Sequence, residues 1–399
     1  MQTDILNLFV EITEKNYIFV IGKYDNDKNF IKYEEIVIPN NEFINGKLIN
    51  IDEIKDKVKK NIQLIESKLN FVFKDVILLL DNFVYTCINI SGYKKLNGSQ
   101  ILKENISYIL NSIKTAVAEN EKDKKILHIF NSKSILDNVY IENLPIGLFG
   151  DFYSHELTFF LMNNSDLKNI KKIFKENNIR IEKILIKDFI EGIQLIENKS
   201  NETFFRIKIN ENNSSLSFFE NSAFKYVEHF PFGTNMIKKD ISKVCSISNV
   251  TIKKILLDNI FKNRKTSLDN EFLAKEYFDE GKFKKISKKL LIEIANARIE
   301  EIVKKIFYNN TNLKYFKKKE SLIYVSIIDR TISNNFENDF KFFFSKNFNC
   351  KTELFENFET ESSVSRTANL LLYGWKKEAI PVAFTKNSLI TRIFKSLFE

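Results

Sequence analysis

The sequence predicts a mixed α/β fold with more than one domain. Its 399 residues are enough for two or more hydrophobic cores, and a content of 44% hydrophobic and 28% charged residues is typical of a globular chain. Short apolar runs of strand length alternate with stretches in which apolar residues recur at helical spacing. Each half of the chain also has neighbouring strands without an intervening helix, which indicates a β-meander in both halves.

The first part of the chain predicts four strands and one helix. Apolar and polar residues partly alternate over 6–12, which indicates a first strand. Asp52 is the candidate N-cap of a helix over 54–69, where apolar residues recur every three or four positions. The remaining predicted strands are 17–23, 31–38 and the continuous apolar run 75–81.

The rest of the chain continues this alternation. Strands are predicted at 85–92, 125–130, 156–162, 179–186 and 320–328, with a three-stranded meander at 204–209, 215–219 and 225–231. Helices are predicted at 99–118, 166–177 and 366–373. The stretch 234–309 is expected to be mainly helical, with one long helix over 283–307.

The chain is basic, with a formal net charge of +9 and a pI near 9.0. We do not predict a nucleic-acid partner from this charge, because the lysines are scattered through Ile-, Asn- and Phe-rich sequence along the whole chain. An anionic membrane surface suits a basic chain equally well. The segment KYFKKK at 314–319 is interpreted as a loop or helix end, with contact to nucleic acid as the alternative.

Several other kinds of site are not indicated. The three cysteines lie far apart, so neither a zinc site nor a disulfide framework is expected. The three histidines form no metal-ligand pattern, and we expect each to be structural. There is no signal-peptide pattern, and no apolar stretch approaches the roughly 20 residues that span a bilayer. We therefore expect a cytosolic protein, or one peripheral to the inner face of a membrane.

Eight segments along nearly the whole chain form a collinear series. They are FVEITEKNYIFVIG (9–22), VILLLDNFVYTCINISGYK (76–94), LHIF (127–130), LPIGLFGDFYSHELTFFLMN (144–163), IRIEKILI (179–186), HFPFGTNMIKKDISKVC (229–245), ESLIYVSIIDRTISNN (320–335) and RTANLLLYGW (366–375). Together with the terminal segment NSLITRIFKSLFE (387–399), this series resembles the FtsA family of actin-like bacterial cell division proteins.

The resemblance implies an actin-like α/β fold with two lobes and an FtsA-type inserted subdomain. It implies a non-enzymatic protein that anchors FtsZ filaments to the cytoplasmic face of the cell membrane at the division site and self-associates. An actin-like adaptor of a pilus or secretion assembly is an alternative. The implied boundaries are 1–82 and 360–378 for the first lobe, 83–163 for the inserted subdomain, 164–239 and 318–359 for the second lobe, 240–317 for a helical subdomain, 379–386 for a tether and 387–399 for a membrane helix.

The nucleotide motifs that the resemblance implies are altered. Actin-like ATPases hold phosphate with Asp-x-Gly-Thr/Ser hairpins, whose glycines let backbone amides approach the phosphate. In the first hairpin Glu11 keeps the acid, but Thr13 and Glu14 stand in the turn, and Glu14 adds negative charge. In the strand expected to contact adenosine, Ile328 belongs to a segment that replaces a pair of glycines.

The second hairpin departs further from the family pattern. Lys208 falls where the acid belongs, and Asn210, Asn212 and Asn213 fall where glycines and threonine belong. We therefore predict a pseudo-ATPase without a cofactor. The alternative is that Lys208 and Asn213 hold ATP and Mg²⁺ in a different way.

The terminal segment 387–399 predicts an amphipathic membrane-binding helix. At about 100° per residue its apolar residues share one half of the helix, while Arg392 and Lys395 lie on the other half, near anionic headgroups. The alternative is that this helix packs on its own domain. The apolar residues are Leu389, Ile390, Ile393, Phe394, Leu397 and Phe398.

The long helix predicted over 283–307 is a candidate partner site. In FtsA-like proteins the corresponding subdomain receives the C-terminal tail of the tubulin-like protein FtsZ, and the family pattern places Lys288, Glu293 and Arg298 near that site. Because the tail is partly acidic, Lys288 or Arg298 is expected to pair with it. The alternative for each residue is a solvated charge.

Overall fold

The computed structural model describes residues 6–44, 46–262, 271–279, 283–317, 320–346, 349–356 and 358–379. The predicted membrane helix at 387–399, and all of the predicted tether except Ala379, lie outside these residues. The described residues form two compact units. The first unit comprises 6–203, 219–227 and 358–379, and the second comprises 204–218 and 228–356.

The described residues contain sixteen strands and nine α-helices. The strands are β1 (Asn7–Ile12), β2 (Asn16–Tyr24), β3 (Phe30–Pro39), β4 (Phe43–Ile44), β5 (Lys47–Leu48), β6 (Asp75–Leu80), β7 (Thr86–Lys95), β8 (Lys124–Leu136), β9 (Val139–Ile141), β10 (Phe152–Asn163), β11 (Arg180–Ile186), β12 (Phe204–Ile209), β13 (Ser214–Glu220), β14 (Ala223–Phe230), β15 (Glu320–Ile327) and β16 (Asn349–Leu354). The helices are α1 (Ile51–Leu69), α2 (Lys103–Asn120), α3 (Asn164–Lys175), α4 (Lys187–Lys199), α5 (Asn235–Cys245), α6 (Asn249–Leu257), α7 (Lys288–Val303), α8 (Arg330–Ser345) and α9 (Thr360–Tyr373).

The central sheet of the first unit has the strand order β11-β6-β1-β2-β3. β6 pairs in parallel with both β1 and β11, while β1, β2 and β3 pair antiparallel. Five of the six residues of β6 are buried, as expected for a parallel strand that is covered on both faces. The continuous apolar run at 75–81 therefore has the environment that its composition predicts.

A second, antiparallel sheet in the first unit has the order β7-β10-β8-β9. Helix α2 covers this sheet, and its apolar face forms one core with the sheet residues. Ile106 and Ile109 of the helix and Leu157 and Phe159 of β10 are among the fully buried members of that core.

An aromatic cluster joins the antiparallel sheet to helix α4 and to residues 219–227. The Phe160 and Phe224 rings stack with centroids 4.2 Å apart, and the Phe130 ring lies 4.7 Å from that of Phe189. Phe219 stacks on Phe224 at 5.0 Å. Offset and edge-to-face ring pairs at these distances add specificity to the burial of apolar area.

The second unit is built on a five-stranded sheet with the order β14-β13-β12-β15-β16. β15 pairs in parallel with both β12 and β16, and β12 is buried over its whole length. Helix α7 packs against α5 and α8, and α8 packs against β15 and β16. The Phe205 ring, on β12, contacts the Phe218 and Phe307 rings at 4.5 and 5.1 Å.

Most predicted strands and helices are found, with three differences in the helices. Asn50 rather than Asp52 is the residue before α1, and Asp52 lies in the first turn, where an acidic residue favours the helix dipole. The predicted helix 283–307 begins at Lys288, because Ser287 caps it by accepting a hydrogen bond from the Leu290 amide. Helices α4 and α8 were not predicted.

The predicted boundary at residue 164 does not coincide with the division of the structure into two units. We assigned 164–239 to the second lobe, but the structure groups residues up to Thr203 with the first unit. The physical reason is that β11 pairs in parallel with β6, a strand of the first unit's central sheet. Helix α3 also contacts α1 and β11, which keeps it in that unit. The other boundaries stay predictions.

Gly192 is required by packing inside α4. A Cβ atom on Gly192 would lie 1.9 Å from Cζ of the buried Phe219 ring. We predict that Gly192→Ala lowers the free energy of unfolding by about 1–3 kcal/mol, since overpacking outweighs the helix propensity of alanine. Urea denaturation measures the change.

Asn198→Ala, on the exposed end of the same helix, is the matched control and should shift stability by less than about 0.5 kcal/mol. Equal stability of the Gly192→Ala variant and the native chain would contradict this packing.

Candidate functional site

The turn of the first predicted phosphate hairpin, between β1 and β2, is closed by its own side chains. The Thr13 hydroxyl donates to the Asn16 carbonyl at 3.0 Å and accepts from the Asn16 amide at 2.9 Å. Asn40 donates two further hydrogen bonds to the turn. Its side-chain amide binds the Thr13 carbonyl at 2.7 Å, and its backbone amide binds the Lys15 carbonyl at 2.7 Å. The turn therefore has a fixed shape without a bound ligand.

Glu11, the acid predicted for this hairpin, forms a buried ion pair. It is only 1% exposed, and its carboxylate accepts a hydrogen bond from the ammonium of Lys187, the first residue of α4. The same ammonium lies 3.7 Å from the Glu191 carboxylate. Burial alone would lower the pKa of Lys187, but the carboxylates of Glu11, Glu191 and Asp81 raise it above its ordinary value.

The turn of the second predicted hairpin, between β12 and β13, is also closed internally. The Asn210 amide donates to the Asn213 carbonyl at 2.9 Å, and the two side-chain amides bond at 2.6 Å. The Asn212 side chain accepts from the side chain of Asn235 at 2.8 Å. Lys208 is buried in β12, with 2% of its surface exposed.

The N-terminus of α5 is bonded to this second turn. The Thr234 and Asn235 amides donate to the Asn210 and Glu211 carbonyls, each at 2.9 Å. The chain can approach so closely only at Gly233, because a Cβ there would lie 2.1 Å from the Asn210 carbonyl oxygen. Free amides at a helix N-terminus bind phosphate, whereas these two are bonded to backbone carbonyls.

Asp329 follows β15, in the segment predicted to replace a pair of glycines, and it anchors two helices. It caps α8 by accepting from the Thr331 amide at 3.1 Å, and it also accepts from the Thr234 hydroxyl at 2.8 Å and the Lys238 ammonium at 2.7 Å. Burial raises the pKa of Asp329, but these three donors outweigh it and hold the pKa below its usual value. The half-buried Ile328 donates its amide to the Ile209 carbonyl at 2.9 Å.

The three residues predicted to bind the FtsZ tail do not share one face of α7. Lys288, Glu293 and Arg298 are five positions apart, so consecutive members point about 140° apart around the helix. Lys288 pairs with Glu271 at 2.8 Å, and Glu293 is exposed. Arg298 binds Asp240 of α5 and also Glu301, at 2.5 Å.

Arg298 borders a cavity of about 400 Å³ in the second unit. The exposed sides of α5 contribute Lys239 and Lys243 to the cavity, and Met236 and Phe232 add apolar surface. The sequence analysis missed Lys239 and Lys243, although their spacing of four places them on one face of a helix. The structure thus brings Lys239 and Lys243 together with Arg298 at one cavity, which neither Lys288 nor Glu293 lines.

The predicted membrane-binding residues, from Leu389 to Phe398, lie outside the described residues. Within the described ranges, no helix combines the length and hydropathy needed to cross a bilayer. The same ranges contain no group of three or more His, Cys, Asp or Glu residues placed to hold a metal ion. His128 and His155 are buried, and burial lowers the pKa of each to about 4.

The chain is similar to curated FtsA proteins. It is 23% identical to the cell division protein FtsA of Buchnera aphidicola subsp. Schizaphis graminum, over 69% of this chain and 65% of that protein. It is 21% identical to FtsA of Neisseria meningitidis serogroup B, over 64% of this chain and 62% of that protein. The chain thus spans less than two thirds of the length of these relatives. The matches confirm the resemblance to FtsA.

The comparison with solved structures confirms the actin-like α/β fold. A chain of the PilM-PilN type IV pilus biogenesis complex superposes with a TM-score of 0.51 at 9% identity, covering 90% of this chain and 93% of that chain. A scan of protein-family models found none that matches the sequence. The matches to FtsA proteins relate the chain to cell division proteins of the actin-like family.

We predict that Lys187→Met lowers the free energy of unfolding by about 3–5 kcal/mol, because it leaves the buried Glu11 carboxylate without its cation. The double variant Glu11→Gln, Lys187→Met removes both charges and should lose less than the sum of the two single variants. Urea denaturation of the three variants at pH 7 measures the coupling. Strictly additive losses would contradict the ion pair.

Proposed function

Because the chain is related to FtsA, we propose that it anchors FtsZ filaments to the cytoplasmic membrane at the division site. The match to the FtsA relatives is the observation that carries this proposal. In it the protein is peripheral, attaches through residues 387–399, self-associates, and acts by binding rather than by catalysis. Density on the membrane raises the effective concentration of the attached molecules, which favours their association.

The proposal includes the loss of nucleotide binding, and the two predicted hairpins support this. In the first unit, the Lys187 ammonium neutralises the Glu11 carboxylate that would face a metal-bound phosphate. In the second unit, Thr234 and Lys238 hold the Asp329 carboxylate beside a helix N-terminus, where an anion is favoured. The residues present therefore do not fit ATP and Mg²⁺ in the manner of the actin-like motifs.

The cavity beside Arg298 is the proposed site for the FtsZ tail. Lys239 and Lys243 provide cations for acidic residues, while Arg298 is already paired with Asp240 and Glu301. Met236 and Phe232 provide apolar contact for a short peptide. A partly acidic tail matches this combination. The site replaces the predicted set of Lys288, Glu293 and Arg298, of which only Arg298 borders the cavity.

Membrane attachment is supported by the sequence of the terminal segment. Six large apolar side chains on one half of a helix give an upper bound of about 10–15 kcal/mol for full burial, before the cost of ordering the helix. A helix of this length is not stable alone in water, so its folding is coupled to binding.

We predict that the full-length chain carries a labelled FtsZ tail peptide to the top of a liposome flotation gradient. Ile393→Asp with Phe394→Asp should abolish flotation of both protein and peptide, because two charges enter the apolar face. Thr391→Asp with Ser396→Asp adds the same charge to the polar face and should retain flotation. Flotation of the Ile393 and Phe394 variant would contradict the role of the terminal segment.

The tail site is separated from membrane attachment within the same experiment. Lys239→Gln with Lys243→Gln should leave the protein floating but release the peptide. Lys253→Gln with Lys254→Gln, on the exposed side of α6, is the matched control. If the native protein floats and the peptide never does, the partner is not FtsZ, and an adaptor of another assembly is favoured.

We predict that millimolar ATP with Mg²⁺ leaves the melting temperature of the protein unchanged. A ligand at 100 times its dissociation constant would add about 2.7 kcal/mol of stability, which a thermal-shift assay detects easily. Mg²⁺ without ATP is the control. A clear upward shift with ATP would show that the protein still binds nucleotide, and the pseudo-ATPase proposal would fail.

A further inference from the structure

A second cavity, of about 400 Å³, lies in the first unit between β8, the start of α2 and the segment that follows Trp375. Four lysines line it, against one acidic residue, Glu142. The lining therefore carries an excess of positive charge. The four lysines are Lys103, Lys133, Lys376 and Lys377.

The wall of the cavity is held rigidly. The Trp375 indole donates to the Ser222 carbonyl at 2.9 Å, and the Asn131 amide of β8 donates to the Lys377 carbonyl at 2.7 Å. The Ala379 amide donates to the Ile129 carbonyl at 2.8 Å. The segment thus pairs with β8, and its lysines keep a defined position.

Described carboxylates compensate only part of the cavity's charge, since Lys376 pairs with Glu202 at 2.5 Å. Lys377 is 8% exposed, and its ammonium donates to the Glu142 backbone carbonyl at 2.7 Å rather than to a carboxylate. Burial, followed by the nearby charge of Lys376, lowers the pKa of Lys377. Lys103 and Lys133 are exposed, and no described carboxylate lies within ion-pair distance of either. A bound anion would relieve this repulsion.

A buried histidine lies beside the same part of β8. His155 pairs with Ser134, a lining residue, in the register of β10 and β8, so the two side chains point to the same face of the sheet. Neither ring nitrogen of His155 has a hydrogen-bond partner among the described residues. Its ring is therefore a local reporter of binding at Ser134 and Lys377.

We propose that this cavity binds a phosphate group, either of an anionic lipid or of a soluble phosphate ester. Lysine ammonium groups are point donors that suit phosphate oxygens. Leu144 and Ile146 add apolar surface beside them, which suits the carbon skeleton of the ester. The lipid source rests on the proposed membrane attachment, and residues 380–386 extend at most about 25 Å from Ala379 to the predicted membrane helix.

The test compares the full-length native chain with the double variant Lys103→Gln, Lys133→Gln. Both side chains are exposed and unpaired among the described residues, so the variant should fold normally. Its affinity for phosphatidylglycerol vesicles should fall about thirtyfold, which is about fivefold for each lysine lost near the surface. Lys168→Gln with Lys171→Gln, on the exposed side of α3, removes the same charge and should stay within about threefold.

An NMR titration with inorganic phosphate, monitored through the ring resonances of His155, separates the two sources of phosphate. A shift of these resonances that the Lys103 and Lys133 variant loses, with unchanged vesicle affinity, assigns the cavity to a soluble phosphate ester. Loss of vesicle affinity without a phosphate response assigns it to a lipid headgroup. If neither measurement distinguishes the variant from its control, the proposal is overturned. The Ile393 and Phe394 variant tests the terminal segment independently.

Discussion

The buried ion pair between Lys187 and Glu11 is the interaction on which the first unit depends. It joins β1, the middle strand of the central sheet, to the first turn of α4, across 176 positions of sequence. Two charges removed from water cost several kcal/mol each, and their attraction offsets this only when the geometry is good. The pair therefore does more to specify one arrangement of β1 and α4 than to add net stability.

The second unit also contains a buried carboxylate that is stabilised by donors of the protein itself. Asp329 lies in the segment predicted to replace a pair of glycines, and its carboxylate is bound by the Thr331 amide, the Thr234 hydroxyl and the Lys238 ammonium. These bonds connect the start of α8 to the first turn of α5. A phosphate competing for this helix N-terminus would have to displace a carboxylate that already has three donors. In each unit, a buried carboxylate is thus bound by groups of the protein itself.

The local pattern of apolar and polar residues predicted most of the strands and helices. It could not predict the contacts between residues that are far apart in sequence. β6 and β15 are apolar runs that only a covered parallel strand explains, so both were predicted. α4 was missed because its first ten residues are all buried, including Lys187 and Asp188, which hides the helical alternation of polar and apolar positions. The partners of Lys187 and Asp329 depend on tertiary pairing. By contrast, the rotation between Lys288, Glu293 and Arg298 follows from helix geometry and already argued against a shared face.

The attachment of the C-terminal segment constrains any membrane function. The buried Trp375 and the pairing of residues 377–379 with β8 hold this segment in the first unit up to Ala379. A membrane-binding segment that starts at Asn387 is then tied to a defined point of the fold by a short chain, rather than to a long flexible linker. With the proposed attachment, the lysine-lined cavity at the same point would bring its positive charge near the lipid surface, where each basic residue adds about 1 kcal/mol. Membrane affinity and the orientation of the first unit are therefore expected to be coupled, because both depend on the strand pairing of β8 with residues 377–379.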